Sequence, residues 1–163
     1  MERTGRELVV GISEFVVTDR ADDVLITYSL GSCVGLTLYD PERRLGGMLH
    51  AMMPVSSMDP ARAGREPAMF TDTGVAAMLQ AMFDRGASRR SLVAKVAGAA
   101  IQMDQTGLFR IGERNHTVLR RVLWKNDILL AAEDVGGNIS RTLLLEMSGG
   151  RTLVKSNGSL REL

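Results

Sequence analysis

Cysteine is almost missing from this 163-residue chain; the one present is Cys33. A single thiol excludes an internal disulfide. The two histidines, His50 and His116, stand far apart with no CxxC or HxxxH spacing around them, so no metal site is expected. Aromatic residues make up only 4%, and 20 basic residues balance 19 acidic ones. That leaves neither a stacking platform nor an electrostatic footprint for nucleic acid. No GxxxxGK[ST] or GxGxxG stretch occurs, so no nucleotide is expected, and nothing else calls for a cofactor. Residues 1–7 are charged, with no apolar segment behind them to make a secretory signal. No apolar run approaches the roughly 20 residues that span a bilayer. The expectation is a cytoplasmic protein without membrane insertion.

What is present suits one compact domain over residues 1–163. Hydrophobic residues reach 45%, enough for a real core. Residues 7–18 are β-branched and aliphatic around a glycine, which reads as one bulged strand or two short ones. Residues 23–28 form a further strand, with Thr27 near its end. Val34, Leu36 and Leu38 alternate with Gly35, Thr37 and Tyr39, a half-buried strand directly after Cys33. Asp40-Pro41 turns the chain, and residues 45–53 make an apolar strand carrying His50. Residues 55–67 read as a loop. Val75, Met78, Leu79, Met82 and Phe83 recur at helical spacing, with Thr71 or Asp72 as cap and Gly86 as stop. Residues 92–97 are a strand, and residues 98–110 are irregular. Val118, Leu119, Val122 and Leu123 mark a second helix, with Arg114, Arg120, Arg121 and Lys125 in water. Residues 127–133, 139–147 and 151–155 are strands, with a hairpin at Gly136-Gly137-Asn138 and a turn at 148–150. The tail after Ser156 is expected to fray. Many strands, two main helices and no βαβ alternation give an α+β layered fold, mixed and largely antiparallel, with the helices on one face.

The chemistry gathers around Cys33. His50 follows seventeen positions later and Thr27 precedes it by six. A thiol needs a base to become a nucleophile at neutral pH, and imidazole is the usual one. A third polar group orients the imidazole, and Thr27 can serve. Gly31 and Gly35 flank Cys33 and permit tight turns and close backbone approach. If all three meet, the reaction class is acyl transfer: thiolate attacks an amide or ester, His50 moves the proton, and water hydrolyses the thioester. Each residue also has a plain reading. Cys33 can be a small buried hydrophobe, Thr27 an ordinary strand residue, and His50 a hydrogen-bonded strand histidine. His116 reads as a partly exposed helix residue. Ser32 is a rival nucleophile that needs stronger activation. Met48, Met52, Met53, Met58 and Met69 surround the His50 segment. They suit an adaptable surface for an amphipathic partner helix, and equally core filling.

Taken together, Leu30-Gly31-Ser32-Cys33-Val34, Tyr39-Asp40-Pro41, Gly46-Gly47-Met48 with His50, Met53-Pro54, Asp72-Thr73, Ala94-Lys95-Val96, Ile111-Gly112-Glu113-Arg114-Asn115 and Glu133-Asp134-Val135-Gly136-Gly137-Asn138 resemble the chemoreceptor glutamine deamidase family, CheD. The resemblance runs along nearly the whole chain in order. It implies hydrolysis of selected glutamine side chains on methyl-accepting chemotaxis receptors to glutamate and ammonia, and in some members demethylation of glutamyl methyl esters. It places the catalytic cysteine on Cys33, the histidine on His50 and the threonine on Thr27. It implies a layered α/β/β sandwich similar to the catalytic domain of a glutamine-deamidating toxin. It also implies receptor cytoplasmic helices as protein substrate and, in some bacteria, a CheC-type phosphatase presenting a helix near the active site. Two positions depart from the family pattern: Ser29 stands where glycine is common, and Gly98-Ala99-Ala100 replaces Gly-Gly-Ala.

Two other readings accompany the enzyme. One is a regulatory binding module that docks on receptors or on a CheC-type phosphatase without catalysis. The other is a redox-sensing thiol, which the lack of a resolving cysteine weakens.

Overall fold

A computed structural model of the chain describes residues 5–101 and 110–163. Alternating apolar residues build ten strands in two five-stranded sheets. The outer sheet runs in the order β1 (Arg6–Val9), β3 (Asp23–Leu30), β8 (Arg141–Glu146), β9 (Arg151–Ser156) and β10 (Ser159–Glu162). The central sheet runs β2 (Glu14–Thr18), β5 (Leu45–Ala51), β4 (Val34–Asp40), β6 (Val93–Gly98) and β7 (Leu130–Val135). Helices α2 (Thr71–Asp84) and α3 (Ile111–Lys125) pack on each other and on the central sheet. Leu36, Leu49, Met78, Met82, Leu119 and Leu123 fill the layer between helices and sheet. Leu25, Met48, Ala97, Leu143, Leu145 and Val154 fill the layer between the sheets. The expected α/β/β layering is therefore present, with both helices on one face.

Of the two readings of residues 7–18, the structure shows two short strands, and they lie in different sheets because Ser13 turns at φ 64° and carries the chain across. Several other local expectations need correction. The segment at 55–67 is not a plain loop: it holds helix α1 (Pro60–Arg65), started by Pro60 and capped by the Asp59 side chain, which accepts from Arg62 N–H at 3.1 Å. Neither Thr71 nor Asp72 caps α2, whose N-cap is Phe70. Asp72 instead accepts from Ser56 N–H at 2.9 Å and tethers the preceding segment. The α2 stop is as expected. Gly86 lies at φ 99°, with Ala87 N–H on Met82 O and Gly86 N–H on Phe83 O, a Schellman ending.

β6 and β7 pair in parallel with α3 between them in sequence, so one βαβ unit is present. Gly136 and Gly137 have positive φ, but they carry the chain from the central to the outer sheet and close no hairpin. The tail does not fray. Asn157 and Gly158, at φ 48° and 76°, turn β9 into β10, the backbone of a type I′ hairpin. Within the irregular stretch expected at 98–110, residues 102–109, Gly107 among them, lie outside the described residues.

Both departures from the family pattern fall on left-handed backbone: Ser29 at φ 59° and Ala99 at φ 51°. Ser29 sits in the register break between Thr27 and Leu30 that leads into the Cys33 turn. A side chain there costs roughly 1 kcal/mol. The exposed Ser29 is the cleaner test, because the Ala99 methyl is buried in the core. Ser29→Gly is expected to stabilise the protein by about 0.5 kcal/mol, the strain relieved being partly offset by the freer unfolded chain. Urea denaturation reads this directly, and a loss of stability would contradict the strain assignment.

Candidate active site

His50 is on β5 and faces the layer between the sheets, in register with Gly35 on β4. Cys33 ends the turn immediately before β4, two residues from Gly35, so it is the diagonal neighbour of His50 across the strand pair. Such neighbours are ~7–8 Å apart at the backbone, within side-chain reach. Gly35 lets the facing sheet pack directly on the strand beside this corner. A Cβ on it would come within 2.8 Å of Leu143 and Leu30 side-chain carbons. Thr27 reaches the same point from the facing sheet. The register thus puts Cys33 and His50 at diagonal positions of one strand pair with Thr27 opposite on β3, and no hydrogen bond joins the thiol to the imidazole.

The hydrogen bonds at Thr27 decide the state of the imidazole. Thr27 Oγ1 donates to the Val10 carbonyl at 2.7 Å and lies 2.7 Å from His50 Nδ1. A hydroxyl has one proton, and a carbonyl can only accept. The Thr27 proton is therefore committed to Val10, and toward His50 the oxygen accepts. Nδ1 must then carry the ring hydrogen, which leaves Nε2 with its lone pair. That Nε2 is buried and has no hydrogen-bond partner among the described residues. An orphaned buried acceptor is costly in a protein interior, and here it is the atom that can take a proton from a thiol.

Burial sets both resting charges. It lowers the His50 pKa to about 4, so the imidazole is neutral at pH 7. It raises the Cys33 thiol above its ordinary value, and the residue's own N–H partly opposes that. The resting pair is thiol and neutral imidazole, not thiolate and imidazolium.

The Cys33 turn is held from three sides. Ala99 N–H donates to Cys33 O and Ala100 N–H to Gly31 O, both at 2.8 Å. Gly98, at φ 109°, lies so close that a Cβ would run into the Cys33 carbonyl oxygen. Asn115, fully buried on α3, donates from Nδ2 to Ser32 O at 2.9 Å and to Met52 O at 3.1 Å, while its Oδ1 accepts from Thr71 Oγ1 at 3.1 Å. One side chain thus ties the Cys33 turn, the exit of the His50 strand and the start of α2. The sequence carried a signal for this residue, because Asn115 falls on the buried stripe of α3, four residues before Leu119, where an apolar side chain is expected. Arg141, also buried, donates to Gly98 O and Gly136 O and braces the turn from β8.

The remaining candidates fall elsewhere. His116 bonds Glu133 on β7 at 2.7 Å and belongs to that helix–sheet contact. Met48 and Met69 are buried and Met53 packs beside Phe70, whereas Met52 and Met58 are exposed. Among the described residues no three histidine, cysteine or acidic side chains gather as metal ligands, and no helix is long and apolar enough to cross a membrane.

The neutral His50 has a measurable consequence. Between about pH 6.5 and pH 4 the unfolded chain binds a proton at this residue that the folded chain refuses. Its contribution to stability is intact above that window and is lost as pH falls through it, by about 3 kcal/mol in total. His50→Gln removes the titration. The stability difference between wild type and variant is expected to shift by that amount between pH 7 and pH 4, measured by denaturant unfolding. Carboxylates such as Asp23 titrate in both proteins and cancel, so a pH-independent difference would contradict the burial of a neutral ring.

Residues 52–156 match the family model described as CheD chemotactic sensory transduction; Thr27, Cys33 and His50 precede that stretch. Full-length relatives extend the match. A probable chemoreceptor glutamine deamidase CheD of Solibacter usitatus is 48% identical over 157 residues, 96% of this chain and 93% of that protein. A probable chemoreceptor glutamine deamidase CheD 1 of Syntrophus aciditrophicus is 44% identical over 158 residues, 96% of this chain and 99% of that protein. Among solved structures, the hypothetical protein YfiH of Bacillus licheniformis superposes with a TM-score of 0.49 at 19% identity, over 74% of this chain and 49% of that one. With identity of this degree sustained from end to end, and with the family model covering most of its length, the chain belongs to the CheD family.

Proposed function

We propose that this protein is a thiol-dependent amidohydrolase that converts glutamine side chains of chemoreceptor cytoplasmic helices to glutamate. Membership of the CheD family supports the substrate, since the relatives are named for it. The observation that carries the mechanism is the Thr27 hydroxyl shared between Val10 O and His50 Nδ1, which leaves Nε2 free as a base. In this reading Cys33 is the nucleophile, His50 the general base and acid, and Thr27 the residue that orients the ring.

The steps balance as follows. His50 Nε2 takes the Cys33 proton as Sγ attacks the glutamine amide carbon, and the amide oxygen becomes an oxyanion. The tetrahedral intermediate collapses, His50 returns the proton to the departing nitrogen, and ammonia leaves a thioester on Cys33. Water then attacks the thioester with His50 again as base. Glutamate departs and the thiol is restored. Burial keeps the base unprotonated at pH 7 but also makes it weak, so proton transfer from a thiol whose pKa burial raises is uphill. The oxygen of Thr27, accepting from Nδ1–H, offsets part of that cost by stabilising the imidazolium formed in the transition state. A hydroxyl carries no charge, so it helps the imidazolium less than a carboxylate would.

A receptor cytoplasmic helix as substrate supports activity in the cytoplasm. A CheC-type phosphatase helix is a second proposed partner. Its site is the exposed Met52 and Met58 at the exit of the His50 strand, where flexible thioethers adapt to an apolar helix face.

Cys33→Ala is expected to abolish the glutamine-to-glutamate mass change in a receptor cytoplasmic fragment while leaving the melting temperature unchanged. Thr27→Val, which removes the acceptor at Nδ1, should lower kcat about 100-fold, and Thr27→Ser should retain most activity. Mass spectrometry of the fragment measures all three. Full activity in Cys33→Ala, or equal activity in Thr27→Val and wild type, would overturn the assigned roles.

A further inference from the structure

We infer that an arginine-lined groove along α3 is the docking surface for an acidic segment of the protein substrate, next to the glutamine being hydrolysed. This rests on the reading that the substrate is a protein helix. The groove encloses about 390 Å³ between Val55 and one face of α3. Arg110, Arg114 and Arg121 line it, with Glu113, Thr117 and Val118. Three positive side chains meet a single negative one. In a chain whose overall balance is +1, that is a local concentration of charge, not a reflection of a basic protein.

The arginines are available. Arg110 faces Glu113 at 3.8 Å, with both side chains mostly exposed, a contact that holds neither firmly. Arg114 and Arg121 make no ion pair with any described residue and lie in water. Arg114 and Arg121, seven apart, share one face of α3, and Arg110 stands at its N-cap beside the same groove. Guanidinium groups in such a row pair with carboxylates in a fork geometry that lysine does not reproduce.

Position links the groove to the chemistry. Asn115, the neighbour of Arg114, bonds the carbonyls of Ser32 and Met52 on either side of the site. Val55, on the opposite wall, lies three residues beyond Met52. Helix α3 therefore touches the Cys33 turn through Asn115, and the groove lies along another face of the same helix. A substrate helix laid there would set one residue at the thiol and carry its flanking carboxylates over the arginines. Val55 and Val118 offer the apolar strip between them. Complementary charge of this kind mainly raises the rate of encounter and fixes the register, and salt weakens it.

The test uses the full chain as Cys33→Ala, so that binding of a chemoreceptor cytoplasmic fragment is read without turnover. Arg114→Glu/Arg121→Glu is expected to weaken the Kd about tenfold and to remove most of its salt dependence. Arg114→Lys/Arg121→Lys should lie between that variant and the parent. Arg90→Glu/Lys155→Glu makes the same change in net charge on other exposed surfaces and should leave the Kd within about twofold. Equal weakening by the two reversed pairs, or no weakening by the first, would overturn the proposal. So would failure of the parent to bind the fragment. Ammonia release from the same fragment by the protein with Cys33 intact reads the deamidase activity separately. Its absence alongside groove-dependent binding would fail the enzymatic reading while supporting the groove.

Discussion

The proton of the Thr27 hydroxyl is the smallest part on which the most depends. It is committed to the carbonyl of Val10, a residue on the segment that crosses between the two sheets. That commitment turns the Thr27 oxygen into an acceptor, places the imidazole hydrogen on Nδ1 and leaves the buried Nε2 unpaired. A different backbone path at Val10 would free the hydroxyl to donate, and the ring could then flip to the tautomer with no basic nitrogen toward the thiol. The crossover at the N-terminal end of the fold therefore sets the chemistry of residues that follow it by 17 and 40 positions.

The layered fold supplies the rest through geometry. Antiparallel pairing of β4 with β5 puts His50 opposite Gly35 and diagonal to Cys33. The facing sheet brings Thr27. The turn that carries the thiol gains little from its own sequence, with Ser29 in left-handed backbone just before it, so it is fastened from outside by Ala99, Ala100, Gly98 and Asn115. Burial keeps the thiol and the imidazole neutral at rest, and a protonated thiol is a poor target for oxidation and alkylation.

Much of this was legible in the sequence where one short-range rule applied. The strand at Val34, Leu36 and Leu38, the helical stripe from Val75 to Phe83 and the Gly86 stop each depend on local signals, and each is found in the structure, with one exception in burial. β4 lies between the helices and the outer sheet and is buried on both faces, not half-buried as its alternation suggested. Cys33, His50 and Thr27 were recognisable as a set through the family resemblance; their spacing alone left plainer readings open. What was hidden depends on which sheet a strand joins. Residues 7–18 read as one strand or two because periodicity does not record a change of sheet. The Gly136-Gly137 turn looked like a hairpin for the same reason. The Asn157-Gly158 hairpin was readable from its two turn residues, but the polar composition of the tail masked it. Asn115 was visible as a polar residue on an apolar stripe, yet its partners, the carbonyls of Ser32 and Met52, lie 83 and 63 residues away.

The central claim is the tautomer of His50, and nitrogen NMR of the imidazole at neutral pH addresses it most directly. The account predicts a neutral ring with the hydrogen on Nδ1 and a pyridine-like Nε2. A hydrogen on Nε2, or a doubly protonated ring at neutral pH, would contradict it.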